Sequence, residues 1–220
     1  MEGIIVVDKP SGMTSHDVVA IARRKLRERR IGHAGTLDPL ATGVLVLLVG
    51  RATRLFERFV AFDKEYQAAM KLGVRTESAD IQGKIVEERP VGDITRDGLE
   101  KVLEKFRGEI EQVPPMVSAV KHKGERLYKL ARRGVVVERE ARKVRVDALE
   151  VLEFALPIVS FRLLCSKGTY VRQVAEDVGE ALGCGACITE IRRTKVGPYL
   201  IRDAVPLEEI HESHVRPFAG

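Results

Sequence analysis

The sequence has no tryptophan and no asparagine, and it has three cysteines among 220 residues. Three cysteines are too few for the disulfide framework of a small secreted protein. Cys184 and Cys187 have CxxC spacing, but a structural zinc site needs four ligands and the chain offers no second pair. We therefore expect buried thiols and no metal. The missing asparagine, with abundant Lys, Arg and Glu, indicates either a heat-adapted source or biased genome composition.

Long apolar runs are also absent. None approaches the roughly 20 residues that a membrane-spanning helix requires. The N-terminal residues 1–7 lack the cationic start of a signal peptide, and their apolar stretch ends at Asp8, too early for a signal peptide. These features argue against membrane and secreted classes, and we expect a cytoplasmic protein.

What the chain has in quantity is positive charge. The net charge is +5 and the pI is near 9.2, which favours a polyanionic partner. Basic residues concentrate in segments 23–30 and 121–145. For segment 23–30, a solvated helix face and a surface that follows RNA phosphates are about equally supported. The second segment has the character of an arm over a polyanion rather than of a core.

Hydrophobic periodicity predicts an α+β protein with a mixed, largely antiparallel sheet flanked by helices. Strands are expected over residues 3–7, 44–49, 63–72, 84–88, 144–154, 158–165 and 186–196. Helices are expected from Thr14 or Ser15 to about 27, from Thr95 to a Gly108 stop, over 125–133, and from a Thr169 cap to about 182. Residues 73–83 are expected to form a polar loop.

Residues 32–43 are the most informative stretch. They contain three glycines and one carboxylate, Asp38, directly after the basic segment 23–30. An Asp before a proline often does no more than open a turn, and local sequence alone favours that interpretation for Asp38. A chemical role requires a basic partner, a pocket for a base and a polyanionic substrate.

Three further residues are candidates for such a site. Tyr66 lies on the inward face of its predicted strand, where core packing and a ring for stacking on a base are equally plausible. Tyr170 and Arg172 are expected in the first turn of a helix, an end that already favours anions.

Four motifs together identify a family. They are residues 9–15, 32–43, 63–66 and 168–172. In this order they closely resemble the bacterial tRNA pseudouridine-55 synthases, the TruB family, and the resemblance covers roughly residues 3–200. Each motif alone is weak, whereas the ordered combination is specific.

The resemblance implies the pseudouridine synthase fold with a central RNA-binding cleft, and isomerisation of one uridine in the T loop of tRNA without cofactor or metal. It implies that Asp38 is the catalytic nucleophile and that Arg172 pairs with it. It also implies substrate-binding roles for the remaining members of the set. Tyr66 stacks on the target base, Tyr170 lies against the target nucleotide, His33 holds the T loop as the nucleotide flips, and Ile191 contacts the base.

The resemblance also predicts a domain organisation. Residues 1–203 are expected to form the catalytic domain, with a thumb-like insertion at 117–143 that closes on the RNA. Residues 204–220 are expected to be a short tail, without the PUA-type RNA-binding domain usual in the family. We expect a monomer that acts on the T stem-loop of tRNA without a protein partner.

The isomerisation suits a carboxylate such as Asp38, but the step in which the carboxylate acts stays open. Asp38 could attack C1′ or C6, or remove a 2′ proton. Extruding the target base costs a few kcal/mol, which stacking on Tyr66 would partly offset. A bidentate arginine such as Arg172 favours the charged carboxylate. Two other functions compete: a non-catalytic RNA chaperone, which needs no acid in a cationic cleft, and a glycoside hydrolase, which usually needs two carboxylates.

Overall fold

The computed structural model describes residues 1–118, 120–122 and 124–218. Ala119 and Lys123, which belong to the expected insertion 117–143, lie outside the described residues. The helices of the described part are α1 Ser15–Lys25, α2 Phe56–Val60, α3 Arg96–Glu104, α4 Leu127–Arg132 and α5 Val171–Ala181. No helix within these ranges is both long and apolar enough to span a membrane.

The strands in chain order are β1 Gly3–Lys9, β2 Ile31–His33, β3 Thr42–Val49, β4 Lys64–Leu72, β5 Val74–Thr76, β6 Ile85–Glu88, β7 Gly108–Gln112, β8 Lys121–His122, β9 Glu125–Arg126, β10 Arg142–Ala155, β11 Ile158–Cys165, β12 Ala186–Val196, β13 Tyr199–Leu200 and β14 Val205–Pro206. Short 3₁₀ turns occupy Gly50–Leu55, Ile201–Asp203, Leu207–Glu209 and Glu212–His214. The α+β class expected from the sequence is confirmed.

The chain forms two units. The first comprises Met1–Gln67 with Glu190–Gly220, and the second comprises Ala68–Thr189. Strands β4 and β12 each begin in one unit and end in the other.

The first unit is built on strands in the order β14-β1-β3-β12. The β1–β3 pair is antiparallel, with Ile4 opposite Leu48 and Val6 opposite Val46, whereas β1–β14 and β3–β12 are parallel. Both faces of β3 are buried, which explains its unbroken apolar sequence. One core cluster of this unit contains Ile4, Val6, Ala34, Val44, Val46, Leu48, Ala52, Phe59 and Val196.

Helix α1 begins where its capping residues predict. The Thr14 hydroxyl accepts the Asp17 amide hydrogen at 3.1 Å, and an Asp17 carboxylate oxygen accepts the Thr14 amide hydrogen at 2.8 Å. This reciprocal pair satisfies two amides that the first turn leaves unbonded. The helix buries Val18, Val19 and Ala22, and its basic residues gather at the last turn.

The second unit pairs β7, β10 and β11 in antiparallel fashion. Strand β11 alternates strictly, burying Val159, Phe161, Leu163 and Cys165, as expected for a sheet with one covered face. Thr95 caps α3 by accepting the Gly98 amide hydrogen at 3.1 Å.

Two expected helix boundaries are wrong. Helix α3 ends at Glu104, and Gly108, with φ +84°, instead begins β7. Thr169 does not cap α5, because its hydroxyl donates to the Ser166 carbonyl at 3.0 Å and Tyr170 occupies the cap position. In both places a turn lies between two elements, and the local sequence does not show in which direction the chain leaves that turn.

Two other segments hold more strand than expected. The loop expected at 73–83 contains β5, which pairs with β6. The helix expected at 125–133 is shorter, because its first two residues form β9 against β8. Two- and three-residue strands are too short to show periodicity, so pairing alone defines them.

Candidate RNA-modifying site

Asp38 lies in the irregular loop between β2 and β3 of the first unit. It is half-buried, and the Asp38 carbonyl accepts the Ala41 amide hydrogen at 3.1 Å, so the residue opens a tight turn. The turn interpretation of the Asp-Pro sequence is therefore correct for the backbone. The bond that closes this turn is made by the Asp38 carbonyl, so it is compatible with a chemical role for the carboxylate.

Lys9, at the end of β1, supports this turn from inside the fold. Its side chain is fully buried, and its ammonium group donates to the Ala41 carbonyl at 2.7 Å and to the Pro39 carbonyl at 3.4 Å. Burial lowers the pKa of Lys9 from the ordinary 10.5 to about 8, an effect that the Asp38 carboxylate opposes and the Arg193 charge reinforces. The motif lysine thus binds the backbone that follows Asp38.

Arg193, on β12, supports the preceding side of the loop. Its guanidinium is buried and donates to the carbonyls of Val44 at 2.7 Å, Gly35 at 3.1 Å and Thr36 at 3.5 Å. Gly43 is required here, because a Cβ on it would lie 2.2 Å from the Arg193 carbonyl oxygen. Sequence periodicity places Arg193 on a strand, but gives no sign that its charge is directed inward.

His33 ends β2, five residues before Asp38. Its ring packs edge-to-face against His16, with ring centres 5.4 Å apart. Burial, followed by the neighbouring His16 and Arg193, lowers the pKa of His33 to about 4. The imidazole is therefore neutral near pH 7, and any contact with RNA would be a hydrogen bond or a ring contact rather than an ion pair.

Tyr66 and Ile191 also belong to the first unit. Both side chains are 8% exposed, Tyr66 on β4 and Ile191 on β12. The prediction that Tyr66 faces inward is confirmed. Its role in stacking on a base, like the base contact of Ile191, stays a prediction.

Tyr170 and Arg172 lie at the start of α5 in the second unit. The side-chain amide of buried Gln112 bonds the Tyr170 backbone twice: its oxygen accepts the Tyr170 amide hydrogen at 2.8 Å, and its nitrogen donates to the Tyr170 carbonyl at 3.1 Å. This contact fixes the chain direction just before Arg172. The expected pairing of Arg172 with Asp38 stays a prediction.

Arg172 is buried and makes bonds typical of a structural arginine. Its guanidinium donates to the Ser78 carbonyl at 2.5 Å and to the Val117 carbonyl at 2.8 Å. Its Nε lies 3.8 Å from a carboxylate oxygen of Asp80. The Val117 bond connects Arg172 to the first residue of the expected insertion 117–143.

Asp80 is a residue that sequence reasoning missed. Its other carboxylate oxygen accepts the Ser78 hydroxyl at 2.9 Å and the Gln82 amide hydrogen at 3.1 Å. The preceding Ala79 has φ +59°, a left-handed conformation that is uncommon without glycine. Such strain often marks functional sites, but it is visible only in the structure.

Basic segment 23–30 has exposed side chains, and one of its arginines is hydrogen-bonded within the fold. Arg24, Arg27 and Arg29 of segment 23–30 are exposed, whereas Arg23 donates to the Ile31 carbonyl at 2.6 Å.

Within the described residues, no group of three or more His, Cys, Asp or Glu side chains could hold a metal ion. The three cysteines, Cys165, Cys184 and Cys187, are buried.

Comparison with known proteins identifies relatives over nearly the whole chain. A tRNA pseudouridine synthase B from Opitutus terrae is 48% identical across 96% of this chain and 87% of its own length. The same-named protein of Pseudomonas paraeruginosa is 47% identical across 97% of this chain and 70% of its own. Among solved structures, one of a Cbf5-Nop10-Gar1 complex matches with a TM-score of 0.74 and 36% identity. The match covers 94% of this chain and 53% of the chain in that structure.

Family models match the chain in two consecutive parts. Residues 23–171 match the TruB family pseudouridylate synthase N-terminal domain, and residues 172–216 match the tRNA pseudouridylate synthase B C-terminal domain. The first match alone spans more than half of the chain and includes Asp38, Tyr66 and Tyr170. With the fold and the relatives above, these matches establish that the chain belongs to the TruB family of pseudouridylate synthases.

Proposed function

We propose that this chain is a tRNA pseudouridine synthase that converts uridine 55 of the T loop to pseudouridine, with Asp38 as nucleophile on a flipped-out nucleotide. The observation that carries the proposal is the Asp38 loop: a single carboxylate on a turn whose backbone is bonded by two buried cations, Lys9 and Arg193. Relatives about 47% identical that are named for this activity support it.

The reaction is an isomerisation, so its atoms balance without a co-reactant. The N1–C1′ bond breaks, the uracil turns, and a C5–C1′ bond forms, while N1 gains a proton and C5 loses one. A carboxylate can form a temporary bond to the sugar or the base, or accept a 2′ proton. Each route needs an oriented, ionised group, which a rigid loop in a positive field provides.

The other site residues receive roles in binding the extruded nucleotide. Tyr66 offers a ring on which the target base stacks, an interaction of about 1–3 kcal/mol. Ile191 contacts the base, Tyr170 lies against the target nucleotide, and neutral His33 helps hold the T loop. Arg172 orients the reactive carboxylate. The insertion 117–143 closes on the RNA.

The partner is the T stem-loop of tRNA, in the cytoplasm. We propose that residues 1–203 act as one catalytic domain and that the protein acts as a monomer without a protein partner. A T stem-loop hairpin should then be converted nearly as well as full-length tRNA. Sedimentation of the protein with and without hairpin tests the monomer.

Pseudouridine mapping in unmodified tRNA tests the function directly. We expect one new pseudouridine, at position 55, with wild-type protein. Asp38→Asn should abolish turnover and leave tRNA affinity within a few-fold, because Asn keeps the shape but loses charge and basicity. Asp93→Asn, an exposed loop acid, is the matched control and should be fully active.

The competing functions predict different outcomes in the same assay. A non-catalytic chaperone would bind tRNA and leave uridine 55 unchanged. A hydrolase would release free uracil. Measurable turnover by Asp38→Asn beyond trace deamidation would exclude the assigned nucleophile.

A further inference from the structure

Ser15 makes an unusual contact with the residue directly before Asp38. Its hydroxyl accepts the Leu37 amide hydrogen at 2.8 Å and donates to the Leu37 carbonyl at 3.1 Å. Ser15 is 2% exposed and Leu37 is 4% exposed, so both backbone groups lack access to water. One hydroxyl therefore satisfies both hydrogen-bonding groups of one buried residue.

The start of α1 explains why this hydroxyl is available. A serine at a helix start usually caps its own helix. Here Thr14 and Asp17 complete the capping pair, and Ser15 occupies the first helical position. Its side chain can therefore bond another segment.

The bond to the Leu37 carbonyl acts on Asp38 through the peptide plane. The carbonyl of Leu37 and the nitrogen and Cα of Asp38 belong to one planar unit. A hydrogen bond that fixes this carbonyl therefore also fixes the N–Cα bond of Asp38, so that φ of Asp38 is the one rotation left between this peptide plane and the Cβ. Restriction of the residue before a proline, here Pro39, limits the remaining backbone freedom of Asp38.

Support on the other side of Asp38 comes from a different residue. Lys9 bonds the Ala41 carbonyl at 2.7 Å, at the last residue of the turn that Asp38 opens. Asp38 thus lies between the neutral Ser15 contact at Leu37 and the cationic Lys9 contact at Ala41. Substitution of Ser15 alters the geometry without altering the charge around the carboxylate, which separates orientation from electrostatics.

We propose that Ser15 is a positioning residue that orients the Asp38 carboxylate by fixing the Leu37–Asp38 peptide. The proposal rests on the proposed function, in which Asp38 reacts with the target nucleotide. Misplacing a reactive group by about 1 Å can cost about 100-fold in rate. Loss of Ser15 should therefore reduce the chemical step and leave RNA binding intact.

The test uses the full chain and a T stem-loop hairpin with enzyme in excess. We expect Ser15→Ala to lower the single-turnover rate about 10- to 100-fold with the hairpin Kd unchanged within twofold. Ser15→Thr keeps the hydroxyl and should recover most of the rate lost in Ser15→Ala. Thr95→Ala removes a capping hydroxyl from α3, remote in sequence from this loop, and calibrates the effect of lost stability alone.

The outcomes are distinct. A Ser15→Ala rate within threefold of wild type, a loss that Thr95→Ala reproduces at equal loss of stability, or a loss explained by weaker hairpin binding overturns the proposal. If Ser15→Ala does not fold, Ser15→Cys replaces it, with the same thresholds. A wild-type protein that does not convert the hairpin or tRNA would instead reject the proposed function, so the two failures are distinguishable.

Discussion

The Asp38 loop and the start of α5 use the same device in two units of the molecule. In each, a buried neutral side chain closes two hydrogen bonds on one backbone residue: Ser15 before Asp38, and Gln112 at Tyr170, two residues before Arg172. A side chain that satisfies both groups of one residue fixes the backbone without the regularity of a strand. Irregular segments can therefore be as well defined as the sheet beside them.

The two regions differ in what holds the functional residue itself. In the first unit, Lys9 and Arg193 bond the carbonyls around Asp38, and neither is assigned a contact with RNA. In the second unit, Arg172 makes the carbonyl bonds with its own guanidinium. Under the proposed function, structural support and chemistry belong to different residues around Asp38 and are combined in Arg172. Substitutions should therefore separate stability from catalysis in the first region and affect both in the second.

Among the residues that support the two regions, the largest effect is expected for Arg172→Lys. Lysine keeps the charge but lacks the planar fork, so it cannot bond the Ser78 and Val117 carbonyls while facing Asp80. We expect a loss of about 100-fold or more in single-turnover rate, together with lower stability, because a buried carbonyl left unbonded costs about 1–3 kcal/mol. The hairpin conversion rate and the free energy of unfolding are measured together.

Arg107→Lys is the matched control for that substitution. Arg107 also belongs to the second unit and donates to both the Leu149 carbonyl and Glu100. Its replacement should reduce stability and leave the rate unchanged. Equal rates for Arg172→Lys and wild type would show that Arg172 does not orient the reactive carboxylate.

Lys9→Met should change stability in a pH-dependent manner. Because the Lys9 pKa falls from 10.5 to about 8 on folding, the unfolded chain binds the extra proton between these pH values. The cost of burying the charge is fully present below pH 8 and is relieved as pH rises through this window. Wild type should therefore gain stability relative to Lys9→Met from about pH 8 to 10.5, by at most about 3 kcal/mol.

The measurement for Lys9 is the free energy of unfolding of both proteins across that range. Denaturant titrations at several pH values give the difference directly. A difference that stays flat from pH 8 to 10.5 would contradict a depressed Lys9 pKa. A falling difference would mean that the lysine gains, rather than loses, proton affinity on folding.

A smaller effect is expected for Asp80→Asn. Asparagine can still accept from the Ser78 hydroxyl and the Gln82 amide, but it loses the charge that faces Arg172 at 3.8 Å. We expect about a 10-fold lower rate with unchanged hairpin affinity, since an ion pair at this distance is weaker than a direct hydrogen bond. Asp97→Asn, an acid in the first turn of α3, controls for loss of charge. An unaltered rate would show that Asp80 stabilises only its own turn and does not act through Arg172.

Features determined by neighbouring residues could be predicted from the sequence. The Thr14 cap, the alternating strands β4 and β11, and the unbroken apolar β3 follow from capping chemistry and periodicity. The ordered motifs, with Asp38 as the one carboxylate of stretch 32–43, indicate the family from the sequence alone. Each of these signals is carried by residues that are close together in the chain.

Features determined by distant contacts could not be predicted. Asp80 becomes notable because Arg172 faces it, and Gln112 because it bonds Tyr170. The inward direction of Arg193 likewise depends on carbonyls contributed by another part of the chain. Their neighbours in sequence are ordinary, so composition and periodicity carry no sign of these contacts.

The smallest effect is expected for His33 of the first unit, whose imidazole should not titrate near neutral pH. Its pKa is lowered to about 4, first by burial and then by His16 and Arg193. The folded chain thus binds fewer protons than the unfolded chain between about pH 4 and 6.5, so this histidine's contribution to stability falls as pH falls through that window. Above pH 5.5 the ring is neutral in the folded protein.

Hairpin affinity should therefore show no inflection from His33 between about pH 5.5 and 8. His33→Gln, which cannot titrate, should weaken binding by a constant factor across this range, whereas a charged histidine in contact with phosphate would make the factor grow at low pH. His16→Ala removes the neighbouring ring and should raise the His33 pKa while leaving it below 6.5, because burial is the larger cause. NMR titration of both proteins gives the two pKa values. A His33 pKa near 6.5 in wild type would mean that the ring is solvated, and the rigid support inferred around Asp38 would then stop short of β2.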